Sequence, residues 1–423
     1  MNLLRSFRKI RARLLGQQAL SRADVAREQA LAHRRSLGET TFIGITGSGA
    51  KSTTAAFLHH LLSDRKRCAL SLIYNTSEAI ARRIQRLEAR DEIAIFEISG
   101  HGPGAIDASA AQVQPQLAIV TVISNDHYTN YRGTDATAQE KGKLVSRVFE
   151  AGGTAFLNAD DPLVAKMAEL APGRAVRFGE SPEADFRASD VRVSADGRLR
   201  FDCTHGAETA AFDIGLLGRH FIVSALAGIA CAHHQGMSLA EIAERARSYV
   251  QMAGRCSIHR VARGPTYLCD TIKSPLSTLG LAFSLMDAFP EAPRRTIVIG
   301  KISDYPGSTG RSYNRAYALA RPHCERLVFF GAKPPSLKGA EEDERNGVIL
   351  YAANHAELRD LLSDAQGGEV ILLKGSEKVD KLLLALPTTG ESGIPPYHEA
   401  LPAWDQLIRE ADYFTANRRV DRR

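Results

Sequence analysis

The stretch FIGITGSGAKSTTAAFLHHLL, from Phe42 to Leu62, decides how this chain is read. The apolar run Thr41 to Ile45 predicts a buried strand, the small residues Thr46 to Ala50 a turn, and Thr53 to Leu62 a helix with one apolar face. Strand, tight turn and helix form the frame of a phosphate-binding loop. There, backbone N–H groups surround phosphate, a lysine reaches the terminal phosphates and the next hydroxyl binds magnesium. Lys51 and Ser52 fit the last two roles, and Gly47, Ser48, Gly49, Ala50 and Thr53 complete the cradle. The strict pattern fails at one position, because Ala50 stands before the lysine where glycine is expected. A left-handed backbone at Ala50 would cost about 1–2 kcal/mol. The same stretch also fits a glycine-rich turn that binds nothing.

At 423 residues the chain exceeds what one core organises, and its 44% hydrophobic and 24% charged residues are those of a globular protein. It carries no apolar run of membrane-spanning length and no secretory signal core, so a cytoplasmic location is expected. The six cysteines are scattered, without a C-x-x-C pair or a histidine at metal-ligand spacing, and are expected to be reduced and mostly buried. The net charge of +6 comes without any nucleic-acid-binding motif. Much of it lies in residues 1–40, a basic helical segment in which Leu3, Phe7, Ile10 and Leu14 fall at helical spacing. That segment suits an anionic membrane surface, a protein partner, or packing on its own protein.

From Thr41 onward, strands and helices alternate, which predicts a mainly parallel sheet covered on both faces. Residues 41–253 form the expected central domain, with hairpins and a D-G turn at about 185–214 read as an insertion. A second alternating series over 254–386 predicts a Rossmann-like α/β domain. Residues 387–423 read as a polar extension. In open α/β sheets ligands sit beyond the carboxyl ends of the strands. Glu97 ends IAIFE, and Asp126 and His127 follow IVTVISN, so both points face the loop holding Lys51. Glu97 is a candidate magnesium ligand beside Ser52, and His127 is a candidate for a second magnesium or for substrate. An ordinary strand-end polar group is the plainer reading of each.

Further motifs follow in order: NDHYTNYRGTDATAQEKGKLV, FLNADDPL, LLGRHFIVSALAGIACA, AGR, CDTIKSPLS and LLKGS. Together with the loop and Glu97, over roughly Phe42 to Leu386, the chain resembles the Mur ligases and their relatives, cyanophycin synthetase and folylpolyglutamate synthase. The resemblance implies an ATP- and magnesium-dependent ligase in which a carboxylate takes the γ-phosphoryl group and an amine attacks the acyl phosphate. It implies magnesium on Ser52, Glu97 and His127, and a carbamate on Lys141 that helps hold the second ion. It further implies an adenine contact at Asn158, a γ-phosphate contact at Arg255, a ribose contact at Asp270, and substrate positions at Lys273 and Lys374. Phe221 and Ser224 depart from the asparagines of the family, and Lys273 and Ser274 from its usual His or Asn. With only the basic segment before the loop, the N-terminal domain that holds a UDP-sugar peptide is expected to be absent. The rival reading is a degenerate Mur-like subunit that binds nucleotide without ligating.

Overall fold

The structure is a computed structural model. It describes residues 22–375 except 73–74, 101, 125–132, 262, 306, 332–333 and 335–336, together with 379, 382–383 and 388–389. Leu3, Phe7, Ile10 and Leu14, His127, and nearly all of the C-terminal extension lie outside the described residues.

Two sheets organise them. The first takes β1 (Thr41–Thr46), β2 (Cys68–Ser71), β3 (Ile93–Glu97), β4 (Leu117–Val120), β5 (Thr154–Asn158), β6 (Ala175–Gly179), β7 (Phe186–Val193), β8 (Leu199–His205) and β9 (Glu208–Ile214) in the order β2-β3-β1-β4-β5-β6-β7-β8-β9. Every pairing from β2 to β7 is parallel, and the last two are antiparallel. The segment 186–214, expected as a hairpin insertion, therefore continues the central sheet. Its D-G turn reaches the other sheet: Gly197 has φ 86°, and a Cβ there would lie 2.0 Å from Ile258 Cδ1. Only glycine suits both conditions.

The parallel strands are apolar and β-branched because helices bury both of their faces. Helices Lys51–Leu62 and Ile222–His234 pack together on one face through Phe57, Leu58, Leu226 and Ile229. The opposite face is covered by Ala105–Val113 and Thr134–Glu150, with Ile106, Val113, Leu144 and Val148 fully buried.

The second sheet takes β10 (Ser257–Val261), β11 (Thr266–Asp270), β12 (Arg295–Ile299), β13 (Arg326–Phe330), β14 (Ile349–Ala352), β15 (Val370–Lys374) and β16 (Thr388–Thr389) in the order β14-β13-β12-β15-β11-β10-β16. From β14 to β11 it is parallel, and its β10 edge is antiparallel. One apolar cluster runs from Ile43 and Phe57 through Phe212 and Ile258 to Phe283 and Leu372, so the two sheets share a core. Among the described residues no helix is long and apolar enough to cross a membrane.

Candidate active site

The strand order places the loop after β1 between β3 and β4, where a crossover turns in each direction. This is a topological switch point, at which open α/β sheets bind ligands. Ala50 is the residue before helix Lys51–Leu62 and sits left-handed, at φ 64° and ψ −10°. Its methyl group is accommodated, and the loop turns as the glycine-containing pattern requires. Gly47 has no such latitude: a Cβ there would meet Thr121 Oγ1 at 1.9 Å.

Hydrogen bonds hold the loop against the end of β4. Ser48 N donates to Val122 O at 2.8 Å, and Ser124 N donates to Ser48 Oγ at 3.0 Å. Behind this contact, Ile123 N donates to Asp161 Oδ2 at 2.6 Å, while the other oxygen of Asp161 caps Leu163 and Val164 at the start of the helix Pro162–Ala165. Asp160 accepts from the N–H groups of Glu180 and Ser181, and Asn158 Oδ1 accepts from Asp160 N at 3.0 Å. The NADDP run thus braces the segment that carries the loop.

Two lysines converge on one oxygen. Lys51 Nζ donates to Gly47 O at 2.7 Å, and Lys141 Nζ, from a side chain 1% exposed, donates to the same atom at 3.2 Å. Glu97 at the end of β3 is buried, and its Oε1 has no hydrogen-bond partner among the described residues. Burying a carboxylate oxygen unpartnered is costly. Glu97 lies opposite Ile45 at the end of β1, and a buried carboxylate together with the Ser52 hydroxyl is the donor chemistry a divalent cation takes, so these residues fit magnesium. His127, the remaining expected ligand, lies outside the described residues.

The other expected positions lie on the second sheet and in the link into it. Arg255 stands in that link, just before β10, and its Nε is buried without a partner among the described residues. Asp270 and Lys374 end neighbouring strands and pair at 2.5 Å, with Lys374 also donating to Lys273 O at 2.8 Å. Lys374 is only 2% exposed. The ammonium expected at a substrate thus pairs with the carboxylate expected at a ribose, and Lys273 is exposed. His220 reaches the same place from the first domain. Burial pushes its imidazole down to about 4, against the opposing pull of Asp270. Burial together with Asp270 also raises the Cys256 thiol.

Sequence reasoning passed over Thr121 and Asp161. Thr121 follows the apolar run LAIV at a strand end, and Asp161 precedes Pro162 in a helix-start pattern, so each left a local signal. Ser224, noted there only as a departure, is fully buried and donates to Ala50 O at 3.4 Å.

Residues 45–232 match the Mur ligase middle domain. The chain is 27% identical over 382 residues to the UDP-N-acetylmuramoyl-tripeptide--D-alanyl-D-alanine ligase of Mycobacterium tuberculosis, covering 87% of this chain and 74% of that protein. It is 25% identical over 381 residues to the UDP-N-acetylmuramyl-tripeptide synthetase of Deinococcus radiodurans, covering 83% and 76%. Among solved structures, MurF from Acinetobacter baumannii superposes with TM-score 0.73 at 19% identity, over 85% of this chain and 79% of that one. MurF ligase from Thermotoga maritima in complex with ADP gives TM-score 0.72 at 17% identity, over 85% and 82%. At those identities the structural likeness is one of fold. Residues 45–232 thus carry the Mur ligase middle domain, and the chain is similar to Mur ligases along most of its length.

Proposed function

We propose that the protein is an ATP-dependent ligase that forms an amide bond between a carboxylate and an amine on an amino-acid or peptide substrate, releasing ADP and phosphate. The observation that carries this reading is the convergence of Lys51 and Lys141 on Gly47 O, in a loop that follows β1, whose neighbour β3 ends in Glu97 with an unpartnered carboxylate oxygen. Transfer to a carboxylate chiefly needs like charges neutralised and two oxygens aligned on phosphorus. The carboxylate attacks the γ-phosphorus, the bond to the β-phosphate oxygen breaks, and the amine then displaces phosphate from the acyl carbon.

In this reading Lys51 and the N–H groups from Gly47 to Thr53 orient the phosphates. Ser52 and Glu97 hold magnesium, with His127 and a Lys141 carbamate at a second ion. Bound magnesium would neutralise charge on the phosphate oxygens. Asn158 takes adenine, Asp270 the ribose, Arg255 the γ-phosphate from across the cleft, and Lys273 and Lys374 the amine-bearing substrate. The degenerate-subunit reading keeps the nucleotide site and drops turnover. We further place the enzyme in the cytoplasm, with the basic segment before Arg22 as a contact for a partner or an anionic membrane surface.

Phosphate release is to be measured against a panel of acids and amines, with ATP binding measured in parallel. Wild type is expected to release phosphate only when acid and amine are both present, and Lys51→Ala to lose ATP binding and turnover. Equal ATP affinity in the Lys51→Ala variant would falsify the nucleotide site. ATP binding without turnover on every pair would favour the subunit.

A further inference from the structure

A phosphate loop works by turning backbone N–H groups outward, and each peptide that does so turns its carbonyl oxygen into the protein. An inward carbonyl needs a donor, because a buried acceptor left unpaired is destabilising. Three carbonyls of this loop have them. Gly47 O is held by Lys51 and Lys141, and Ala50 O by Thr54 N at 2.9 Å and Ser224 Oγ at 3.4 Å. Gly49 O accepts from Thr121 Oγ1 at 2.7 Å.

Thr121 differs from the other donors. Lys51 has phosphate to attend to, Lys141 is assigned to the second magnesium and Thr54 belongs to the helix that the loop starts, but Thr121 is an uncharged, fully buried residue from the end of another strand. It grips both ends of the turn. Its N–H donates to Thr46 O at 3.1 Å, where the chain enters, and its hydroxyl reaches Gly49 O, where the chain leaves. That hydroxyl also lies 3.2 Å from Thr46 O, and the shorter contact takes its single proton. The space it fills beneath the turn is the space a side chain at Gly47 would need.

Gly49 O and the Ala50 N–H belong to one peptide plane and point in opposite directions. We propose that Thr121 is a positioning residue of the nucleotide site: by holding Gly49 O inward, its hydroxyl aims the Ala50 N–H at the phosphates and fixes the plane entering the left-handed Ala50. The proposal rests on the ligase reading, since a loop that meets no phosphate has no need of that orientation.

The test uses the full chain and the pair Thr121→Val, which keeps the shape and removes the donor, and Thr121→Ser, which keeps the hydroxyl. ATP binding is measured by calorimetry, with kcat and KM for ATP and for the amine, and thermal midpoints alongside. Thr121→Val is expected to raise the ATP Kd and KM about tenfold, with kcat within about threefold and the amine KM unmoved, while Thr121→Ser stays within about threefold of wild type throughout. If the valine variant is insoluble, Thr121→Cys, with its weakly donating thiol, is expected to show a smaller rise in ATP Kd in the same direction. A lowered thermal midpoint with an unchanged ATP Kd would overturn the proposal while leaving the ligase reading intact. Failure of wild type, Thr121→Ser and Thr121→Val alike to bind ATP would overturn both.

Discussion

Ala50 shows how a single departure from a motif is absorbed. Its left-handed backbone carries a steric cost of about 1–2 kcal/mol, from which glycine would be exempt. Its carbonyl is held from two sides, and the loop around it is tied to the end of β4. The strain is small beside the several kcal/mol that a lysine and a metal supply on phosphate. Ala50→Gly is therefore expected to change ATP affinity by no more than about tenfold, or about 1.4 kcal/mol, in a titration. A wild type unable to bind ATP, with strong binding restored in that variant, would make the loop a relic. Lys374, the substrate position that the KGS run suggests, is 2% exposed and pairs with Asp270, which holds its ammonium at the ends of β15 and β11.

Among the elements, the helix Arg22–Ser36 was open to three readings from its sequence, and the structure answers for this part of the basic segment. It packs on the helices Ser77–Ile84 and Ala105–Val113. Arg34 is the anchor. Its Nε donates to Val113 O at 2.7 Å and its Nη2 to Gln114 O at 2.8 Å, and the guanidinium lies 3.6 Å from the centre of the Phe42 ring. Burial brings its pKa down to about 10. Arg34 thereby satisfies two carbonyls at the end of helix Ala105–Val113, where Gln114 turns left-handed at φ 45°, and puts positive charge at the negative end of that helix. Arg34→Ala is expected to cost about 2 kcal/mol in urea unfolding, from two lost charge-assisted bonds and the carbonyls left behind. Arg34→Lys should recover only part of this, because an ammonium cannot reproduce the fork. An unchanged urea midpoint in Arg34→Ala would move the anchoring elsewhere along the helix.

At the scale of the molecule, the shared core makes the junction between the sheets sensitive to acid. His220, half-buried beside the Asp270–Lys374 pair, and His259, buried on β10, have pKa values brought down to about 4, against 6.5 for a free imidazole. The unfolded chain therefore binds these protons first as pH falls. Their effect is that stability is full above about pH 6.5 and declines as pH approaches 4, by up to about 1.4 kcal/mol per pH unit for each histidine. His220→Gln is expected to flatten the fall of the thermal midpoint across that window, and parallel curves for the two proteins would remove His220 from the account. What the sequence determined by itself was whatever depends on short windows: the strand, turn and helix around Lys51, the alternation that makes two α/β sheets, and the order of the motifs. These follow from side-chain periodicity and backbone preference, which neighbouring residues decide. The tertiary structure alone decided which groups meet. Thr121 and Gly49 are 72 residues apart, Lys374 and Asp270 104, and Ser224 and Ala50 174. It also isolated an oxygen of Glu97 and carried 186–214 into the central sheet. Hydrogen-bond partners and burial depend on how distant segments pack, and no local pattern records that.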